Sequence, residues 1–145
     1  MSTNSIYKSR TGYLNYGAED VFNFVTDIRN FERFMPGDSI SDLKMGKDRC
    51  SFRVDMLGEV AINVSEKIFP GKVVFTGNAR QIDDFSFTFD IRSSGEKKSE
   101  VSVILSAWMN PILKMIADEP IRQFLDKLAG EIEKFNGWEN TCQDT

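Results

Sequence analysis

Glu66, Cys50, the Asp83–Asp84 pair and Arg10 are the side chains in this sequence whose type and spacing could do chemistry. Glu66 follows Val60, Ile62 and Val64 at even spacing, so on a strand it shares their face. A carboxyl on an apolar face has its pKa pushed up and can serve as a general acid or base. Beside Lys67 at a strand end, the same carboxyl instead reads as a solvated rim group. Cys50 precedes Phe52 at the same even spacing and reads as a small buried hydrophobe, because no base stands near it in sequence. Asp83 and Asp84 separate two apolar runs and read as a hairpin turn, a role Asp commonly fills, rather than as a metal-binding pair. Arg10 lies in the first apolar segment, where both alternating sets mix polar and apolar residues, so either Arg10 or Tyr13 points inward.

The composition removes more chemistry than these residues add. There is no histidine, which excludes Ser/His/Asp and Cys/His nucleophilic sites and any histidine-ligated metal. No catalytic residue, metal or cofactor is expected. Cys50 and Cys142 are far apart in a chain large enough to build its own core, and they read as free thiols in a reducing compartment. The formal net charge is −4 and the basic residues are scattered, which gives no electrostatic footprint for nucleic acid or an anionic membrane. The first ten residues are polar with no apolar stretch behind them, so a soluble, cytoplasmic protein is expected.

Positioning these residues requires a particular order of elements. A first strand is expected over Ile6–Leu14 and a short helix over Ala18–Val25, whose opening turn carries Glu19 and Asp20 against the positive end of the helix dipole. Asp27 is placed to cap a second short helix that Pro36 and Gly37 end. The pair carries Phe22, Phe24, Phe31, Phe34 and Met35, more apolar side chain than a surface helix pair needs, so it is expected to cover a cavity. From Ser39 to Asn110 the period becomes two, broken by short turn signals at 46–48, 57–58, 70–71, 83–84 and 94–98. Phe52, Val54 and Met56, then Val60, Ile62 and Val64, then Phe85, Phe87, Phe89 and Ile91 share one face of an antiparallel meander. Past Asn110, Leu113, Ile116, Ile121, Phe124, Leu125, Leu128, Ile132 and Phe135 recur at helical spacing, and Pro120 is expected to kink or restart that helix. The whole chain, 1–145, reads as one domain with an ordered core of about 5–136 and a frayed tail.

The segment "VFNFVTDIRNFERFMP", set between a first strand and a long meander that ends in a long helix, resembles the helix pair of the START-like, polyketide-cyclase-like (SRPBCC) superfamily. The resemblance implies an α+β helix-grip fold. In it, a curved antiparallel sheet of about seven strands wraps the C-terminal helix, with two short helices between the first two strands. It also implies a deep apolar pocket between sheet and helix with the paired helices near its mouth. The expected wall is Phe52, Val54, Ile62, Phe75, Phe87, Phe89, Leu105 and Met109 from the sheet, with Ile116, Phe124 and Leu128 from the helix. Phe31, Phe34 and Met35 close one end, and Arg10 and Glu66 are the candidate polar groups within. The same residues would equally fill a solid core.

A carrier of a hydrophobic small molecule or lipid needs no catalytic group. A cyclase-like enzyme of that superfamily would need Glu66 or Arg10 to point into the pocket, and a partner-binding module would use the outer sheet face. On that outer face Ile104 and Trp108 alternate with the inward set, and a homodimer contact is expected there.

Overall fold

Long period-two runs bury one face and wet the other only if neighbouring strands share the phase, and an antiparallel ladder enforces this because paired residues point the same way. In the computed structural model the runs form one eight-stranded antiparallel sheet. The structure describes residues 3–30, 33, 40–46, 49–54, 58–79 and 82–135. The strands are β1 (Thr3–Lys8), β2 (Gly12–Leu14), β3 (Ile40–Met45), β4 (Arg49–Val54), β5 (Gly58–Ile68), β6 (Lys72–Ala79), β7 (Ile82–Gly95) and β8 (Lys98–Met109). Their order is β1-β8-β7-β6-β5-β4-β3, with β2 also paired to β8, so the chain's first strand lies against its last.

The expected strand over Ile6–Leu14 is two pieces. Ser9 donates its N–H to Val103 O at 2.8 Å, while its Oγ accepts the Val103 N–H at 2.9 Å, so a side chain replaces one rung of the ladder. Arg10 and Thr11 leave the ladder, and pairing resumes at Gly12 opposite Val101. Tyr7 and Leu14 are buried, whereas Arg10 and Tyr13 both face solvent.

The helix α1 (Ala18–Val25) has the expected bounds, with Glu19 and Asp20 in its first turn. It buries Val21, Phe22, Phe24 and Val25 against β6, β7 and β8. A 3-10 turn, Ile28–Asn30, follows. As expected of a cap, the Asp27 carboxylate accepts the Arg29 N–H at 3.0 Å, and the Arg29 guanidinium beside it holds that carboxyl below its usual range. Apart from Arg33, the rest of the expected second helix, including Phe31, Phe34 and Met35, lies outside the described residues.

The hairpin between β6 and β7 does not fall where the acidic pair stands. Ala79 pairs with Ile82, and Asp83 and Asp84 are residues of β7. The aspartates follow the turn instead of making it. The remaining helix, α2 (Pro111–Lys134), starts where Asn110 Oδ1 accepts the Leu113 N–H at 2.8 Å and Pro111 occupies a position that needs no N–H. It runs through Pro120 as one element instead of restarting. Its buried stripe is Leu113, Ala117, Ile121, Leu125, Leu128, Ala129 and Ile132, while Ile116 is half exposed. No helix is long and apolar enough to cross a membrane among the described residues.

Candidate functional site

The inner sheet face meets the first half of α2 without filling the space between them. An apolar cavity of about 100 Å³ remains there. Phe52 and Val54 of β4, Val60 and Ile62 of β5, and Ala79 of β6 form one side of it. Ile82, Phe85 and Phe87 of β7 with Leu105 and Ala107 of β8 form the floor, and Leu113, Ile116, Ala117, Pro120, Ile121 and Phe124 of α2 form the roof. The register makes this wall continuous, because Phe52 pairs with Val60, Val60 with Ala79, Ala79 with Ile82, Phe85 with Ala107 and Phe87 with Leu105. Ala79, Ala107 and Ala117 present only a methyl group where their neighbours present rings and branched chains, and space survives opposite them.

Seven residues of the expected wall line this cavity: Phe52, Val54, Ile62, Phe87, Leu105, Ile116 and Phe124. Phe75, Phe89, Met109 and Leu128 do not; they are buried in a solid part of the core, where the Phe89 ring lies 5.9 Å from Phe75 and 5.6 Å from Phe87. α1 covers that solid part and contributes no residue to the cavity lining, so the described portion of the helix pair caps packed core and not a mouth. The lining residues that sequence patterning passes over include the three alanines, too small to register as apolar periodicity, and Pro120, whose expected role is that of a helix breaker.

Neither candidate polar group reaches the cavity. The ladder between β5 and β6 shifts register between Val64 and Glu66, so the extra residue, Ser65, reverses the phase. Glu66 therefore pairs with Val74 and is exposed, off the face that Val60 and Ile62 share. Arg10 is drawn outward to α2, where its Nη2 donates to Glu133 Oε1 at 2.9 Å. Glu133 also accepts the Tyr13 N–H at 3.0 Å, and the Arg10 guanidinium followed by this N–H holds its carboxyl below the usual range. Burial pushes the Cys50 thiol up to about 11, which keeps it protonated and un-nucleophilic at neutral pH. Arg53 pairs with Asp42 at 3.6 Å and Arg92 with Asp90 at 3.6 Å, all on the outer face. Trp108 is 54% exposed and Ile104 is half buried there.

A polar cluster that the sequence pattern did not single out lies on the side of α2 facing β1. The Tyr7 hydroxyl donates to Asp118, Lys114 Nζ sits 3.1 Å from both Asp118 oxygens, and the Lys114 and Arg122 cations lie 5.9 and 5.7 Å from the centre of the Tyr7 ring. Burial first, then the hydrogen bond and charge of Asp118, push the Tyr7 pKa up to about 12 from its ordinary 10. The folded-state value lies above the unfolded one, so this group's stabilisation is fully present below pH 10 and is lost as pH rises through 12. Two units correspond to roughly 3 kcal/mol, which solvent beside Asp118 discounts to about 1–2 kcal/mol. Tyr7→Phe is accordingly expected to flatten the fall in urea-unfolding stability between pH 10 and 12; an unchanged fall would mean that Tyr7 does not carry it.

The geometry has known counterparts. Norcoclaurine synthase from Thalictrum flavum superposes with a TM-score of 0.71 at 10% identity, over 92% of this chain and 86% of that one. The chain has the helix-grip fold. A second structure of that enzyme, in complex with dopamine and hydroxybenzaldehyde, matches with a TM-score of 0.67 at 8% identity over 93% of this chain and 90% of that one. A START superfamily protein from Mycobacterium smegmatis matches with a TM-score of 0.65 at 15% identity over 89% of this chain and 94% of that one. No family model and no curated protein sequence matches. At such identities the likeness is one of architecture: a helix-grip sheet of seven to eight strands around one long helix.

Proposed function

We propose that the protein binds a hydrophobic small molecule or lipid in the cavity between the sheet and the first half of α2. The observation that carries this reading is the composition of the wall: the sixteen described residues that line it are all apolar, and they leave space unfilled. Protein interiors are packed to near-crystalline density, and an apolar void costs stability in proportion to its volume. A fold that keeps such a void beside a half-exposed Ile116 forgoes stability that a larger side chain would supply, and occupancy by an apolar ligand offsets that loss.

Solved helix-grip proteins support the reading as architecture; one of them is a synthase whose structure holds dopamine and hydroxybenzaldehyde. A cyclase-like reaction needs an acid or base at the reacting atoms. Among the described residues, the lining of this cavity offers neither. Carriage or sensing of a ligand is therefore the reading we put forward.

Ala117→Leu tests it. Ala117 is 3% exposed on the roof, and leucine suits a helix as well as alanine does while filling the space opposite. Saturable binding of aminoanthracene, a neutral fluorescent hydrophobe, is expected for the wild type and is expected to weaken by about tenfold or more in the variant. The variant's melting temperature is expected to hold or rise, since cavity filling commonly adds ~0.5–2 kcal/mol. A folded Ala117→Leu protein that binds the probe as the wild type does would sink the proposal.

A further inference from the structure

Among the described residues, the charged side chains that border the cavity are turned away from it. On α2, Lys114 and Asp118 are paired at 3.1 Å and Arg122 lies over the Tyr7 ring at 5.7 Å, so the helix's polar column is turned toward β1. On the strands, Arg53 stands between two lining residues of β4, Glu59 precedes the lining Val60 of β5, and Asp84 precedes the lining Phe85 of β7; all three are exposed. Arg53 is already engaged with Asp42 at 3.6 Å. Glu119, next to the lining Pro120, is exposed on the solvent side of α2. Cys50 is the titratable group buried within the sheet on this side, and its thiol is neutral.

The rim repeats the pattern. Ile116 lines the cavity and is 49% exposed, and in the same two turns Ile112 and Met115 are 72% and 81% exposed. Among the described lining residues a ligand's charged end therefore meets no countercharge.

We propose that this cavity selects for electrical neutrality: its ligand is an uncharged apolar molecule, and an acid or amine of the same skeleton is excluded while ionised. The proposal rests on the reading of the cavity as a ligand site and deepens it. Burying an ion without a partner forfeits its hydration with nothing in return. The discrimination is then set by the ligand's own ionisation. The protein has no histidine, and no titratable residue lines the cavity among those described, so a weak acid binds better as pH falls through its own pKa.

Calorimetric titration of the intact protein at neutral pH with naphthylmethanol, naphthoate and naphthylmethylammonium reads this directly. Their shared ring system keeps shape constant while charge varies. The alcohol is expected to bind about 100-fold more tightly than either ion, and Ala117→Leu is expected to abolish its heat, which places the event in the cavity. Either ion binding within about tenfold of the alcohol overturns the proposal and leaves the cavity as a ligand site. No binding of the alcohol or of aminoanthracene removes the ligand-site reading itself, and the proposal falls with it.

Discussion

Phe89→Ala is expected to lower the unfolding free energy by about 3–5 kcal/mol, as large aromatic truncations in well-packed cores do. Phe89 has no solvent exposure, and its ring meets Phe75 edge to face at 5.9 Å and Phe87 at 5.6 Å. Its ladder neighbours are Val73 and Val103, both fully buried. Strands tied by hydrogen bonds on both sides cannot close onto a missing ring, so most of its volume would remain as a void. Urea unfolding measures the loss. Because Phe89 is not a lining residue, the folded fraction should still bind aminoanthracene. A loss below about 1 kcal/mol would mean that the packing here relaxes far more than the ladder allows.

Gly77→Ala should cost a comparable amount for the opposite reason. A Cβ at Gly77 would stand 2.1 Å from the carbonyl oxygen of Ala61 and 3.0 Å from both Ile62 Cγ2 and the tip of the Phe85 ring. The first of these atoms is backbone in the neighbouring strand and cannot swing away. Gly77 also sits at the register shift between β6 and β7. Overpacking of this kind costs about 3 kcal/mol or more when the backbone itself must move. Gly17→Ala is the matched control: nothing lies within 4 Å of a Cβ there, and the change should stay within about 0.5 kcal/mol. Equal thermal stability of the two variants would show that the sheet accommodates the methyl group at residue 77 freely.

What patterning conveyed and what it missed divide along physical lines. Strand phase in β4, in the first half of β5 and in β7 followed from alternation, since burying Phe52, Val60, Ile62, Phe87 and Phe89 leaves no other face for the polar set. α1 likewise ran over its expected residues, Ala18–Val25. Phase failed at Glu66 because one bulged residue, Ser65, reverses every side chain after it, and nothing in "NVSEK" announces a bulge. The turn assigned to Asp83 and Asp84 failed because Ile82 already pairs with Ala79, which puts both aspartates inside the strand. The cavity divided in the same way: its rings and branched chains came from alternation. Its emptiness depends on Ala79, Ala107 and Ala117 coinciding across three elements, a fact of register and not of composition. Tyr7 met Asp118 across 111 residues, a separation no local pattern spans.

That separation has a meaning for how the protein is made. Among the described strands β1 pairs with β8, the last, and Tyr7 waits for a partner 111 residues downstream. At synthesis rates of ~5–20 residues per second, roughly 5–20 s pass between the emergence of the first strand and that of the groups that receive it. During that interval Ile6, Tyr7 and Leu14 belong to no sheet, and the inner faces of β4–β7 lack the helix that covers them. The nascent chain must therefore remain soluble as an open half-sheet before it can close, which makes its hazard on the ribosome one of timing more than of final stability.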